Sequence, residues 1–432
     1  MSKHNRRSFL KGAALIGGVI ASQTAPPFLT EGLGARPIKW GSIHPTTGPY
    51  STEAFDQVEG VKIAIEDINK EGGIDGRQVK LLFRDDQFKW DQVTVHALDL
   101  LDNHRVDFLA GSMVGPEEMR LNGFSKKRKI IYANYPQHII ATPGNAKKMS
   151  PLFFTANTTP YQLAASSISY IAKNNLGKKI HCLFDDYIWP KMFVPAFKKL
   201  TKDFGLDWDE NRSISWVPFP TSQDYSATFP RILKEKPDIL YALNWGARQV
   251  AFIKQMREAG LDKKIKIIIG ATEITMPEAA GLGSYHGLNA AMMWHPSLGS
   301  KYPNAKILNE KFLARRKRPC SSYGMLAHDL TRLILDTARE TNLYKPKDHF
   351  KLARFLEGKT FQYSKGKCTV RPCDHVCISE VFVVRGKSKS EMKDKFDHLE
   401  VIGSSGGEAN TVSCAGKGLN ASEPASKTRT SG

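Results

Sequence analysis

The sequence predicts an α/β protein made of two lobes, each a parallel sheet covered by helices. Two observations carry this. Short apolar runs alternate with amphipathic helical stretches along residues 38–269, the rhythm of βαβ units. Irregular stretches near 134–158 and 270–300 interrupt that rhythm, where a closed barrel needs eight uninterrupted units.

The first series starts with a strand at Ile38–Ile43, ended by the turn His44-Pro45-Thr46-Thr47-Gly48-Pro49. Val58, Val61, Ala64, Ile65 and Ile68 then recur at helical spacing, and Gly72-Gly73 stops the helix where a left-handed cap favours glycine. Val79–Phe83, Val106–Ala110 and Lys129–Ala133 are the next strands, with a helix through His96–Leu101. The second series places helices at Leu163–Ala172, Phe193–Phe204, Ala227–Lys234 and Gly246–Ala259. Its strands are Ile180–Phe184, Ser213–Val217, Ile239–Leu243 and Ile265–Ile269. Beyond Met292 helices dominate (Lys306–Arg315, Leu326–Thr341, Lys351–Leu356), followed by a late strand at Ile378–Val384. From Gly403 the chain turns to Ser, Gly, Asn, Lys and Thr, a composition that predicts a flexible tail over 403–432.

A chain of 432 residues, 41% hydrophobic and 24% charged, is long enough for two or three cores and excludes a disordered or collagen-like protein. It contains no run of 18 apolar residues, the length a spanning helix needs. The formal charge of +19 raises a nucleic-acid or membrane-surface reading. Residues 1–35 account for part of it. Asn5-Arg6-Arg7-Ser8-Phe9-Leu10-Lys11, the apolar stretch Gly12–Ala21 and small residues up to Ala35 match a twin-arginine-type signal peptide; a mobile basic N-terminus is the alternative. Without residues 1–35, which hold four cations and Glu31, the charge is +16, and residues 301–432 carry 25 Lys+Arg against 14 Asp+Glu. These clusters, Arg315-Arg316-Lys317-Arg318 among them, are not interleaved with aromatics as a strand-binding surface would be, so solvated faces are expected and no nucleic-acid partner.

Four of the six cysteines, Cys368, Cys373, Cys377 and Cys414, cluster near the C-terminus. In an exported chain they are disulfide candidates. Their spacing fits neither a zinc ribbon nor a haem site, and no metal or cofactor is expected. No nucleophile elbow, H-E-x-x-H or P-loop occurs, which argues against an enzyme. Ser390-Glu391-Met392-Lys393 matches S-x-x-K by letters alone. The pairs Asp85-Asp86 and Asp185-Asp186 fall at strand ends, as ligand-facing acids or helix caps.

The C-terminal ends of the predicted strands instead carry aromatic and small polar residues: His44 and Tyr50, Ser112, Asn134 and Tyr135, Tyr187 and Trp189, Asn244 and Trp245, Glu273, Trp294. Ligands of open parallel sheets bind at those ends. Two lobes facing each other would enclose a small molecule between aromatic walls.

Ile38-Lys39-Trp40-Gly41, Thr47-Gly48-Pro49-Tyr50 and the run Gly60 to Arg77, with Asn69-Lys70-Glu71-Gly72-Gly73-Ile74-Asp75-Gly76, resemble the N-terminal signature of type I periplasmic binding proteins. The group they resemble is the branched-chain amino-acid (Leu/Ile/Val)-binding family with its amide- and urea-binding branch. Val106–Ser112, Lys236–Leu240 and Arg371-Pro372-Cys373-Asp374-His375 fit as well, so the likeness covers about residues 36–400. It implies two Rossmann-like lobes joined by a hinge, with 36–155 plus 286–358 as the first and 156–285 plus 359–402 as the second. It also implies a periplasmic, monomeric substrate-binding subunit that delivers an amino acid, amide or other small polar solute to an ABC permease in the inner membrane. A sensor of the same fold is the alternative, and an exported hydrolase a more distant one. By resemblance the ligand residues are Tyr50, Ser112, Asn134, Tyr135, Tyr187, Asn244, Trp245 and Glu273, with Glu273 facing a ligand ammonium. Two departures point away from a plain leucine-type ligand: Ser112 is followed by Met113-Val114-Gly115, and Asn134-Tyr135 replaces a small hydroxyl run.

Overall fold

β1 (Ile38–His44) lies inside a five-stranded parallel sheet with β2 (Val79–Asp85), β3 (Phe108–Gly111), β4 (Tyr132–Asn134) and β5 (Phe153–Thr155), in the order β2-β1-β3-β4-β5. The structure, a computed structural model, describes residues 36–135, 146–407 and 410–428. The twin-arginine-type segment at 1–35 lies outside the described residues.

A second parallel set comprises β6 (Ile180–Asp186), β7 (Ile214–Pro218), β8 (Ile239–Leu243), β9 (Lys266–Thr272) and β10 (Asn289–Met292). After the small antiparallel sheet of β11 (Thr360–Tyr363), β12 (Gly366–Val370) and β13 (Cys377–Ile378), two more strands extend the second sheet. These are β14 (Val381–Gly386) and β15 (Leu399–Ser405), both antiparallel to their neighbours, giving β15-β14-β10-β9-β8-β6-β7. The central strands of both sheets are buried on two faces, hence their continuous apolar runs.

Several strands escape sequence reading, among them β5, β10, β11, β12 and β15. β5 and β10 are only three and four residues long, too short for a periodic signal. β10 corrects the expected placement of 286–358 with the first lobe, because it pairs with β9 and β14 in the second sheet. β15 and the following residues correct the expected flexible tail. Gly403–Ser405 pairs with β14, Cys414 is bonded to Cys373, and Lys417 is buried with its Nζ 2.6 Å from Asp374 Oδ2. The disulfide expectation narrows likewise: Cys368 and Cys377 are buried free thiols, as are Cys182 and Cys320.

The helix Ser51–Lys70 covers the first sheet with Ala54, Val58, Val61, Ile65 and Ile68 on its buried face. It crosses the helix Ser322–Thr341 at Gly60, where a Cβ would stand 2.1 Å from the carbonyl oxygen of Gly324. The chain passes between the sheets near 156–160, 293–303 and 357–381. The second pass leads into the helices Pro303–Arg316 and Ser322–Thr341. Three of the four cations in the basic run Arg315–Arg318 are ion-paired, and Lys317 bonds the Ala314 carbonyl. Arg315 meets Glu59 at 3.0 Å and Glu66 at 2.5 Å, and Arg318 meets Asp56 at 3.2 Å. The Arg371-x-x-Asp374-His375 motif is a structural knot. Burial opposes ionisation of Asp374, but Lys417 and Arg371 hold its carboxyl well below the usual range. His375 bridges Phe153 O (3.0 Å) and Glu357 (2.8 Å).

Candidate functional site

At the C-terminal ends of both sheets lies a cavity of about 250 Å³ with almost wholly apolar walls. Tyr50, Phe88, Trp90 and Met113–Pro116 come from the first-sheet side; Tyr187, Ile188, Trp189, Phe219 and Trp245 come from the second, and Tyr323 from the helix that returns to the first. A second cavity of about 240 Å³, lined among others by Glu278, His295 and Asp397, contains none of the expected ligand residues.

Local chemistry explains how these rings are aimed. Tyr50 precedes the first turn of the helix Ser51–Lys70. The carboxylates of Asp85 and Asp86 accept the backbone N–H groups of Gln87 (2.9 Å) and Phe88 (2.8 Å). This short-range capture holds both residues at positive φ and turns Phe88 edge-on to Tyr50, 5.3 Å between centroids. On the opposite wall Tyr187 stacks on Phe219 at 4.4 Å. Trp245 stands edge-to-face with Trp189 (5.8 Å) and Tyr323 (6.1 Å). The sharp turn after β8 that presents Trp245 runs through Gly246 at φ +61°, a conformation glycine adopts without steric cost.

Of the eight expected ligand residues, Tyr50, Tyr187 and Trp245 line this cavity. The others do not line it, and four of them, Ser112, Asn134, Tyr135 and Glu273, are engaged in holding the frame. The Ser112 hydroxyl bonds the Tyr132 hydroxyl at 2.8 Å and Asn134 Oδ1 at 3.1 Å. Tyr135 stacks flat on His44 (5.8 Å) and bonds Thr331 at 2.8 Å. Glu273, expected to face a ligand ammonium, instead accepts the N–H groups of Ile274 (2.8 Å) and Ser322 (3.0 Å), tying the end of β9 to the helix Ser322–Thr341. Burial pushes its carboxyl up to about 7. Asn244 is fully buried, and its amide has no hydrogen-bond partner among the described residues. Phe88, Trp90, Phe219 and Tyr323 escaped sequence reading. Phe88 and Trp90 follow an acid pair at a strand end, and Tyr323 follows a serine cap, but a lone aromatic at such a place is most often packing.

The acids divide into paired and unpaired. Asp185 is bound at two points by Arg248 and also accepts the Tyr225 hydroxyl at 2.9 Å. Asp86 and Glu117 are both fully buried and belong to no ion pair among the described residues. Burial, with the charge of Asp85, pushes Asp86 up to about 7. Burial and then the charge of Asp86 push Glu117 up to about 8. Among the described residues no group of three His, Cys, Asp or Glu side chains is placed to hold a metal ion, and no helix is long and apolar enough to cross a membrane.

Comparison with known proteins agrees with this architecture. The family model described as "Periplasmic binding protein" matches residues 37–391. The chain is 21% identical over 356 residues to the leucine-, isoleucine-, valine-, threonine- and alanine-binding protein of Pseudomonas aeruginosa, covering 82% of this chain and 91% of that one. Among solved structures it is similar to an amino acid ABC transporter substrate-binding protein from Pseudomonas fluorescens, with a TM-score of 0.79, 16% identity and coverage of 86% and 96%. It is also similar to an ABC transporter solute-binding protein from Rhodopseudomonas palustris in complex with 3,4-dihydroxybenzoic acid, with a TM-score of 0.70, 19% identity and coverage of 85% and 97%.

Proposed function

The chain belongs to the periplasmic binding protein family, a family of solute binders and not of enzymes, and from that premise we propose that it is the solute-capturing subunit of an ABC importer. It works in the periplasm as a monomer, exported by the twin-arginine route, and hands its solute to a permease in the inner membrane. The carrying observation is the cavity at the ends of the two sheets, with Tyr50 and Phe88 on one wall and Tyr187, Phe219 and Trp245 on the other. A solute touching both walls makes contacts that exist only when the lobes are together, so its binding free energy draws the open–closed equilibrium toward closure. Three backbone passes between the sheets form the hinge for that motion. The walls favour a solute with an apolar or flat body over the small polar amide or urea that the sequence resemblance allows, since rings bury such a body without leaving polar groups unpaired.

A thermal-shift panel of amino acids, amides, urea, aromatic amines and aromatic acids tests the proposal. A bound solute at about 100 times its Kd raises apparent stability by about 2.7 kcal/mol. The expected result is stabilisation by compounds with an apolar body, lost in Trp245→Ala. A stabilising compound whose effect survives unchanged in Trp245→Ala and Tyr187→Ala would place the site elsewhere.

A further inference from the structure

Resting on the reading of the aromatic cavity as the solute site, we infer that the solute it selects is an organic ammonium, a cationic nitrogen on an apolar body, held without any anchor for a carboxylate. Three donors that could hold a carboxylate on the first-sheet side, two backbone N–H groups and one hydroxyl, are already engaged. The N–H groups of Met113 and Val114, at the start of the helix Gly115–Arg128, both donate to Glu117 Oε2, at 2.6 and 3.2 Å. The chain's own carboxyl thus occupies the place where a helix N-terminus attracts an anion. The hydroxyl of Ser112, one residue earlier, is taken up by Tyr132 and Asn134. Neither Lys nor Arg lines the cavity. The nearby Arg248 is matched by Asp185.

What stands behind the walls is acidic. Glu117 and Asp86 bond the backbone of wall residues Met113, Val114 and Phe88, and each keeps one oxygen, Glu117 Oε1 and Asp86 Oδ2, without a hydrogen-bond partner among the described residues. A buried acid without a counter-charge is costly, and a cation in the cavity is the partner this pair lacks. The hydroxyls of Tyr50, Tyr187 and Tyr323 lie within electrostatic reach of one another, and none bonds a protein group among the described residues. These unbonded phenolic oxygens can accept from the N–H donors of an ammonium, and the ring faces around them attract positive charge. A carboxylate could also take those hydroxyl protons. However, Glu53, Asp185 and Glu117 raise the Tyr50 hydroxyl against the single opposing charge of Arg248, after burial itself. The same charges oppose any ligand anion lodged there.

Calorimetry at about pH 8 and low salt with three probes of one shape tests this: phenethylammonium, 2-phenylethanol and 3-phenylpropionate. The ammonium is expected to bind about tenfold or more tighter than the alcohol, and the propionate no tighter than the alcohol. Glu117→Gln keeps a side-chain oxygen to cap Met113 and should narrow the ammonium–alcohol gap by about tenfold. If that variant does not fold, Asp86→Asn gives the same readout. Propionate binding as tightly as the ammonium, or a gap untouched in both variants, overturns the charge assignment and leaves the cavity as the site. If all three probes fail and a different solute binds equally well to wild type and Trp245→Ala, the cavity reading falls, and this inference with it.

Discussion

Arg248 grips Asp185 at two points, Nε 2.8 Å from Oδ2 and Nη2 2.8 Å from Oδ1, with its guanidinium 5.1 Å from the ring centroid of Phe219. Both side chains are buried, at 9% and 1% exposure. The pair holds the floor of the second-sheet wall, since Arg248 also reaches Ser222 O at 2.6 Å. Asp185→Asn leaves a buried guanidinium without its counter-charge, and a loss of about 3–5 kcal/mol is expected in urea unfolding. Arg248→Met, which removes a charge and keeps an apolar stem, should leave Asp185 with the Tyr225 hydroxyl and less than a full charge partner, so it too destabilises. If Asp185→Asn unfolds at the wild-type urea midpoint, the pair does not carry this wall.

Asp86 and Glu117 make the stability of the solute-free protein depend on pH in a definite direction. Asp85 acts on Asp86 from its own strand end; Asp86 and Glu117, on the helix Gly115–Arg128, act on each other, and Arg120 opposes the rise at Glu117. With folded values near 7 and 8 against an ordinary carboxylate range when unfolded, the folded state keeps protons that the unfolded chain has lost. Stability therefore falls as pH rises through that interval, and is full below it. Asp86→Asn keeps an oxygen for the Phe88 N–H and removes the charge. It should stabilise the protein at about pH 8 by on the order of 2 kcal/mol and give no gain near pH 4. Melting curves across that range decide it; a gain that does not grow with pH refutes the assignment.

Much of this was legible because α/β sheets write themselves as apolar runs. The Ile239–Leu243 strand is legible to the residue, and counting units alone places Tyr50, Tyr187 and Trp245 at strand ends. Phe88, Phe219 and Tyr323 are not placed so, because what brings them together is the meeting of two sheets across a cleft, and no periodicity within one segment records that. Ser112 and Glu273 stand at the expected strand ends but face neighbouring N–H and O–H groups. A strand end fixes the neighbourhood of a side chain, not its partner. The disulfide was hidden for a similar reason: four clustered cysteines allow several pairings, and only the return of the tail onto Pro372–Asp374 selects one.

That selection is measurable by thiol counting. With Cys373 bonded to Cys414 and Cys182, Cys320, Cys368 and Cys377 buried as thiols, the native protein should react with a thiol reagent barely at all. In denaturant without reductant it should show the four thiols of the free cysteines. Two thiols in denaturant would mean that Cys368 and Cys377 are joined. Closing a loop over a sequence separation of 41 restricts the unfolded chain, so Cys414→Ser should lower stability by about 2–4 kcal/mol. The buried contact of Lys417 with Asp374 should loosen with it, seen as faster amide exchange over 410–428.

A close helix crossing in the first lobe joins directly to the cavity. A Cβ at Gly60 would lie 2.1 Å from Gly324 O and 3.1 Å from His328 N, both backbone atoms of the helix Ser322–Thr341, so no side-chain rotation can relieve the clash. Alanine improves helix propensity by about 1 kcal/mol over glycine, yet Gly60→Ala must push the two helices apart and is expected to cost about 3 kcal/mol net. The displaced helix carries Tyr323 into the cavity and the Ser322 N–H onto Glu273, so solute affinity should fall along with stability. Gly123→Ala is the control: it sits in the helix Gly115–Arg128 with nothing within 4 Å of its would-be Cβ, and there the propensity gain of up to about 1 kcal/mol should appear unopposed. Urea unfolding of both variants gives opposite signs if close helix contact is what Gly60 provides; equal stabilisation would show that the helices tolerate separation at that point.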